Sequence, residues 1–115
     1  MTTIASLTGK ILAFRDERDW LQFHNPKDMA AAIAIEAAEL QELFLWRNYE
    51  GQLQILQAKR ERVGDELADI AVYLLELAHN LGFDLGVLIE DKLKKNAEKY
   101  PVSLAKGSSK KYDEL

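Results

Sequence analysis

The sequence predicts an all-α protein, a four-helix bundle, on the basis of three observations. Only two prolines and six glycines interrupt its 115 residues, so long stretches contain no helix breaker. Apolar residues within those stretches recur every three or four positions, as they do on one side of an amphipathic helix. No stretch sustains the period-two alternation of a half-buried strand. Short connections between four helices then favour antiparallel neighbours in a bundle.

The first predicted helix runs from about Ile4 to Phe23. Its apolar side is formed by residues three or four positions apart, namely Ile4, Leu7, Ile11 and Phe14. The segment His24-Asn25-Pro26 marks the end of this helix. Asn25 is a good N-cap and Pro26 a good first helical residue, so a second helix begins there and continues to Trp46 or Arg47.

A third helix is predicted over roughly Leu53 to Leu81, after an interruption at Gly51. Its residues keep a strict spacing of three and four at Val63, Leu67, Ile70, Leu74, Leu77 and Leu81. Gly82 closes this helix as a C′ glycine. Asp84 caps a fourth helix from Leu85 to Tyr100, which ends before Pro101.

The predicted bundle forms one helical domain over residues 1–101, followed by a polar tail over residues 102–115 that we expect packing to order. The third helix is apolar around most of its circumference, because small and apolar residues also fill the side opposite the leucine stripe: Ala68, Ala71, Val72 and Leu75. One bundle cannot easily bury so much apolar surface, so we expect a homo-oligomer. A larger single-chain core is the alternative.

Composition excludes several kinds of site. The chain has 15 Lys and Arg against 19 Asp and Glu, a net charge of −4 and no cysteine. Disulfides, thiolate metal sites and cysteine nucleophiles are therefore absent, and His24 and His79 alone cannot build a histidine-rich zinc site. Any bound metal is expected to be held mainly by oxygen. The acidic balance also argues against a nucleic-acid polymer as the partner.

No membrane segment or leader is expected. The longest apolar runs, such as residues 29–35, fall far short of the roughly 20 residues that a bilayer span requires. The first residues show no basic stretch followed by an apolar one. The sequence therefore predicts a cytoplasmic protein without a membrane partner.

A carboxylate lies within the apolar side of the second helix. That side consists of Met29, Ile33, Glu36, Leu40 and Leu43. A buried carboxylate must be protonated, paired with a cation or bound to a metal. Glu39 follows one turn later, and Glu66 and Asp69 repeat the same spacing on the third helix. Four carboxylates on two helices are thus able to face one another.

Such an oxygen-rich quartet, with no Lys or Arg in either of its two four-residue segments, suits Mg²⁺, with Mn²⁺ as a substitute. Mg²⁺ commonly takes further ligands from substrate phosphates, so the quartet favours phosphoryl chemistry. The alternative is a solvated acidic face, because 19 acidic residues produce such pairs by chance. Glu76 and His79 form an E-x-x-H motif, but a di-iron bundle needs two of them, so we expect His79 to be a structural or surface residue.

Polar and aromatic residues elsewhere are candidates for binding an anion or a base. Lys92, Asn96 and Lys99 share one face of the fourth helix and offer two cations and an amide to phosphate oxygens. The alternative is a solvated, lysine-rich helix end that is favoured by the helix dipole. Trp20 and Trp46 close the first two helices and either stack on a base or belong to the core.

Together these residues resemble the all-α NTP pyrophosphohydrolase superfamily, in particular its MazG-like group and the dCTP pyrophosphatase branch. The family pattern E-x-x-E followed by E-x-x-D on the next helix is matched by Glu36, Glu39, Glu66 and Asp69. The similarity extends over nearly the whole chain, through Arg18-Asp19-Trp20, Gln22-Phe23-His24, Glu42-Leu43-Phe44, Tyr100-Pro101 and Ser108-Ser109-Lys110-Lys111-Tyr112.

The resemblance implies a homotetramer of MazG-like bundles that hydrolyses a deoxynucleoside triphosphate, dCTP in particular, between its α and β phosphates. It implies Mg²⁺ on the carboxylate quartet, with Lys92 and Asn96 meeting the triphosphate. It also implies a base pocket formed by Trp20, Trp46 and Tyr73. Two positions depart from the family pattern: Lys99 stands where arginine is frequent, and Ile11 stands near a histidine of close relatives.

Two rival hypotheses remain open at this stage. The chain is alternatively a non-catalytic helical module that oligomerises, or binds a partner helix, through its surplus apolar surface. It is otherwise a sensor that binds a nucleotide with metal and releases no product.

Overall fold

The computed structural model describes residues 1–115 and contains helices but no strand, which confirms the predicted all-α class. The helices are α1 (Ile4–Glu17), α2 (Pro26–Phe44), α3 (Tyr49–Ala58), α4 (Arg60–Asn80), α5 (Leu85–Lys99) and the short α6 (Val102–Ala105), with 3₁₀ turns over Leu21–Phe23 and Tyr112–Glu114. They form two compact units, residues 1–82 and residues 83–115. No single helix is both long and apolar enough to cross a membrane.

The predicted helix caps are confirmed. The Asn25 side chain accepts a hydrogen bond from the backbone amide of Asp28 at 2.9 Å, and Pro26 is the first residue of α2. Asp84 accepts from the amide of Val87 at 3.2 Å and caps α5 in the same way. Gly82, with a φ of +79°, follows the end of α4 in the left-handed conformation that glycine adopts readily.

The first helix is shorter than predicted. It ends at Glu17 rather than near Phe23, because Asp19 adopts a left-handed conformation with a φ of +53°. Aspartate tolerates that conformation better than most residues do. The chain then turns at Trp20 into the short 3₁₀ segment. The apolar period continues across this break, so periodicity alone extends the helix too far.

The predicted third helix is wrong as a single element, because the structure divides it into α3 and α4 at Lys59. Gly51 lies inside α3 instead of interrupting the chain, and Asn48 caps that helix. Lys59 has a φ of −124°, yet its amide still donates to the carbonyl of Ile55 at 2.8 Å. No proline or glycine marks this corner. Ile55 before it and Val63 after it are both buried.

Helix α4 is central to the first unit, because it packs against α2, α1 and α3. Met29 on α2 is the most buried apolar residue, with 2% of its surface exposed, which confirms the predicted inner side of that helix. The buried side of α4 carries Glu66 and Glu76, so these acids are not a solvated face. Its predicted leucine stripe is divided: Val63 is buried, whereas Leu67 is 54% and Leu74 41% exposed.

The polar tail has structure of its own within the second unit. Helix α6 and the last 3₁₀ turn follow Pro101. The rings of Tyr100 and Tyr112 meet edge to face with centroids 6.2 Å apart. The Lys99 ammonium lies 4.8 Å from the centroid of the Tyr112 ring, in a cation–π arrangement. These contacts hold the last turn against the end of α5.

Two glycine-to-alanine substitutions are expected to change stability in opposite directions. Gly82→Ala forces a Cβ into a left-handed conformation and should cost about 1–2 kcal/mol of unfolding free energy. Gly64→Ala lies inside α4, where an added Cβ meets no atom within 4 Å, and should gain about 0.5–1 kcal/mol. Urea unfolding of the two variants beside the parent chain measures both effects. Equal effects of the two substitutions would contradict this account of the end of α4.

A candidate metal centre and its cavity

Helices α2 and α4 bring three of the four predicted ligands together. One carboxylate oxygen from each of Glu36, Glu39 and Glu66 lies within 4.8 Å of the other two. Glu66 is only 4% exposed, whereas Glu36 and Glu39 are half-buried. Asp69 is exposed and lies outside this group of three, although it shares a cavity wall with Glu36. The predicted quartet is therefore a triad with a fourth carboxylate beside it.

The triad fits a divalent cation on the evidence of two unsatisfied atoms. Oε2 of Glu36 and Oε2 of Glu66 are both buried, and neither has a hydrogen-bond partner. Leaving such an oxygen unpaired carries a desolvation cost of about 1–3 kcal/mol, and more for a charged group. Hard cations such as Mg²⁺ and Mn²⁺ prefer carboxylate oxygens. A cation in this place would satisfy both orphaned oxygens and offset the repulsion between the carboxylates.

One arginine from outside the two acidic segments stands beside the triad. Arg62, one turn before Glu66 on α4, donates from Nε to Glu66 Oε1 at 2.9 Å. This hydrogen bond holds the pKa of Glu66 below its usual range. Arg62 engages only that oxygen and is itself largely exposed. A single guanidinium at the edge thus leaves the inner oxygens of the triad free for another cation.

The triad perturbs the protonation of its own members. Burial, together with the nearby carboxyl groups of Glu66 and Glu39, raises the pKa of Glu36 from 4.5 to about 7. Burial also raises the pKa of Tyr73, and the neighbouring charge of Glu36 adds to that shift. Without a metal, Glu36 therefore holds a proton over much of the neutral range, and a cation must displace it to use this oxygen.

A cavity of about 210 Å³ adjoins the triad. Glu36 and Asp69 form one part of its wall, and Trp20 and Tyr73 form another. The Trp20 ring meets Phe14 edge to face with centroids 5.8 Å apart, which orients the indole. Carboxylates and aromatic faces thus line one space, an arrangement that accepts a flat ring next to a metal-bound anion.

Trp46 does not line this cavity. Its side chain is 93% exposed and its φ is +63°, at the end of α2. Neither it nor Trp20, which is also exposed, belongs to the core. The structure therefore places Trp20 and Tyr73 beside the carboxylates and leaves Trp46 on the surface.

The predicted phosphate-binding residues belong to the second unit. Lys92 and Lys99 are exposed on α5, and Asn96 is half-buried on the same helix. Lys99 lies over the ring of Tyr112, as described above. Their shared helical face remains a prediction of spacing.

The sequence does not predict a polar cluster that lines the cavity beside Glu36. Glu76 is buried and contacts His24, which lies just before α2, with Nδ1 2.7 Å from Oε2. Arg15 and Asn80 complete the cluster. The E-x-x-H motif drew attention to Glu76 but suggested the wrong histidine, since His79 is exposed. The one available signal is the spacing of three and four that continues from the acids of α4 to Glu76.

The raised pKa of Glu36 predicts how stability depends on pH in the absence of metal. The folded state binds this proton more tightly than the unfolded state does, so unfolding free energy should fall as pH rises from 4.5 through about 7. Glu36→Gln should remove that loss and stabilise the metal-free protein at pH 8. Chemical unfolding in a chelator between pH 5 and pH 8 measures the slope.

The matched control is Glu50→Gln, which changes an exposed glutamate in the first turn of α3. This control should keep the parent's slope. If Glu36→Gln keeps it as well, Glu36 is not the titrating group. Addition of Mg²⁺ to the parent at pH 7 should release protons, because the ion competes with the Glu36 proton.

The sequence and the fold of the chain are both similar to those of known proteins. The MazG-like family model matches residues 31–115. The dCTP pyrophosphatase 1 of Rattus norvegicus is 40% identical over 104 residues, which cover 89% of this chain and 61% of that protein. The dCTP pyrophosphatase 1 of Homo sapiens is 38% identical over the same length. The chain thus spans about 61% of the length of these curated relatives.

A solved structure shares the fold. The crystal structure of a pyrophosphatase from Archaeoglobus fulgidus superposes with a TM-score of 0.83 at 35% sequence identity, covering 88% of this chain and 94% of the other. The family match includes the whole of α4 and most of α2, the two helices that carry the triad. The chain described here belongs to the MazG-like family.

Proposed function

We propose that the chain is a divalent-metal-dependent nucleotide pyrophosphohydrolase that cleaves dCTP between its α and β phosphates and releases dCMP and pyrophosphate. One observation carries the proposal: two buried carboxylate oxygens, on Glu36 and Glu66, have no partner. They belong to a triad beside a cavity that Trp20 also lines. A site built to hold a cation next to an aromatic wall suits a nucleotide with its phosphates.

The named relatives support this choice of substrate. The curated relatives are dCTP pyrophosphatases, and the solved structure is described as a pyrophosphatase. Their similarity covers 88–89% of this chain. We extend their named activity to this chain because its own carboxylates and cavity provide the groups that the reaction needs.

In the proposed site, Glu36, Glu39 and Glu66 hold Mg²⁺, with Asp69 as a fourth ligand and Mn²⁺ as a substitute ion. When bound, such an ion would neutralise phosphate charge and lower the pKa of a bound water, so that hydroxide would be available near neutral pH. A carboxylate oxygen of the triad that is not a ligand would be able to accept the proton that the attacking water loses. Arg62 holds the Glu66 carboxylate in place through its Nε hydrogen bond.

Substrate positioning falls to residues outside the triad. Trp20 and Tyr73 line the cavity and provide aromatic faces for the base. Trp46 lies outside this cavity in the single chain, and its place in the base pocket is proposed on the family resemblance alone. Lys92, Asn96 and Lys99 are proposed to bind the triphosphate, since two ammonium groups and an amide complement phosphate oxygens. Lys92 further stabilises the charge that develops during bond cleavage.

Hydrolysis of dCTP is the direct test. With Mg²⁺ the chain should release pyrophosphate and dCMP, which chromatography separates from orthophosphate and dCDP. Glu36→Gln and Glu39→Gln should each lower kcat/KM by about 100-fold or more, since metal stabilisation of the transition state is worth several kcal/mol. Glu50→Gln, which is exposed on α3, should leave kcat/KM unchanged.

Orthophosphate as the first product would contradict cleavage between the α and β phosphates. Binding of dCTP with metal but without turnover would favour the nucleotide sensor. Neither binding nor turnover with any common triphosphate would leave the non-catalytic helical module.

The assembled form is proposed to be a homotetramer. In the single chain, Leu67, Val72 and Leu74 are each at least 40% exposed on α4. An apolar groove of about 550 Å³ also opens between α1 and α4. Exposed apolar residues that adjoin an apolar groove commonly mark a contact surface between protein chains. Burying this apolar surface against other copies of the chain would stabilise the assembly by about 25 cal/mol for each Å² removed from water.

A charge placed in the groove should disrupt this assembly. Ala71 is exposed and lines the groove, so Ala71→Glu should leave the fold of the chain intact while preventing close apolar contact. Sedimentation at micromolar concentration should give about four times the 13.1 kDa chain mass for the parent, and less for the variant. Gln57→Glu adds the same charge at an exposed site on α3 and serves as control. A monomeric parent would contradict the proposal.

A further inference from the structure

A polar cluster around two buried charged residues lines the same cavity as Glu36 of the glutamate triad. Glu76 on α4 is 3% exposed and Arg15 on α1 is 6% exposed. His24 Nδ1 lies 2.7 Å from Oε2 and 2.9 Å from Oε1 of Glu76. Asn80 Nδ2 donates to Glu76 Oε2 at 3.0 Å, and Asn80 Oδ1 accepts from Arg15 at 3.0 Å. The Arg15 guanidinium also forms an ion pair with Glu76 at 3.6 Å.

Stability alone does not account for this cluster. Removing two charges from water is costly, and a well-packed apolar pair of similar volume is often as stable as a buried ion pair, or more stable. The cavity wall that holds Arg15 and Glu76 also carries apolar side chains, among them Ile11, Phe14 and Val72, so the surroundings suit such a replacement. What the charged pair supplies, and an apolar pair does not, is a directed acceptor for the imidazole of His24.

The contacts of the cluster determine which His24 nitrogen carries a hydrogen. A carboxylate only accepts hydrogen bonds, so Nδ1, which faces both oxygens of Glu76, is the protonated nitrogen. Arg15 already balances the charge of Glu76, and the other partner of Arg15, Asp16, is exposed to water. Whenever the ring carries a single hydrogen, that hydrogen lies on Nδ1 and Nε2 keeps a lone pair.

Asn80 prevents the cluster from relaxing into another arrangement. Its amide oxygen meets a donor of Arg15 and its amide nitrogen meets an acceptor of Glu76. Turning the amide over would place donor against donor and acceptor against acceptor. The carboxylate of Glu76 is therefore held from two sides while it holds the imidazole.

His24 and Glu76 also line the cavity that contains Glu36 and Asp69. The centroids of the Trp20 and His24 rings are 6.4 Å apart in that wall. A nucleobase stacked on Trp20 would therefore lie close to the His24 ring. An acceptor at the edge of that ring complements an exocyclic amino group and opposes a carbonyl oxygen.

We propose that Glu76, braced by Arg15 and Asn80, is a positioning residue that fixes the His24 ring so that Nε2 accepts a hydrogen bond from an exocyclic amino group of the substrate base. This inference rests on the proposed nucleotide hydrolase function and adds to it a determinant of base selection. Glu76 acts through His24 and has no role in the cleavage itself.

The first test observes the imidazole directly and needs no activity. Nitrogen-15 NMR of the full chain at pH 8 should show His24 with its hydrogen on Nδ1. In the double variant Arg15→Met with Glu76→Leu, the hydrogen should move to Nε2, the usual site in a free imidazole. The other histidine, His79, is exposed and should give the same spectrum in both proteins.

The second test separates positioning from folding. Because an apolar pair replaces a buried ion pair without loss, the double variant should keep the parent's Tm, whereas Glu76→Leu alone leaves Arg15 unpaired and should lower it. With dCTP, the double variant should show a KM raised about tenfold, the value of one hydrogen bond, with kcat little changed. Its preference for dCTP over dUTP should fall by a similar factor.

The proposal is overturned if His24 of the parent carries hydrogen on Nε2 or on both nitrogens at pH 8. It is equally overturned if the double variant keeps the parent's KM and base preference. A parent chain that turns over no nucleotide would instead remove the hydrolase function, while the NMR result would still decide the arrangement of His24.

Discussion

Three glutamate oxygens held within 4.8 Å of one another are the constraint on which the rest of this structure depends. Two of the carboxylates present a buried oxygen without a hydrogen-bond partner. Repulsion and desolvation both oppose that arrangement, and the upward shift in the pKa of Glu36 to about 7 expresses their combined cost. We expect a bound cation to offset this cost by neutralising the carboxylates.

The helices are arranged around this demand. The buried residues of α4 include two acids, Glu66 and Glu76, whereas Leu67 and Leu74 on the same helix are exposed. A small apolar core of Met29, Ile55, Val63 and Ala78 accompanies these buried acids. The exposed Leu67 and Leu74 are on the same helix as Glu66. Helix α4 therefore contributes both to the proposed metal site and to the proposed contact between copies.

Local chemistry made much of the structure predictable. Asn25, Pro26 and Asp84 announce helix starts because their capping hydrogen bonds depend on neighbouring residues alone, and the glutamates stand out because acids interrupt an apolar period. The corner at Lys59 carries no such mark. Its hydrogen-bond ladder continues, and burial of residues on both sides causes the bend. The Arg15 and Glu76 cluster escaped notice because its members are brought together only by tertiary packing, across as many as 65 positions. Arg62 lies four residues before Glu66, so helical spacing alone predicts the contact between their side chains.

The proposed binding of a divalent ion by Glu36, Glu39 and Glu66 is tested by locating the ion in crystals. Crystals of the chain soaked in Mn²⁺ and measured at the manganese absorption edge should give one or two anomalous peaks within bonding distance, roughly 2 Å, of carboxylate oxygens of Glu36, Glu39 and Glu66. Such peaks should disappear in Glu36→Gln crystals grown under the same conditions. Manganese found only on exposed carboxylates, or a triad whose inner oxygens are satisfied by Arg62 and water alone, would contradict the account.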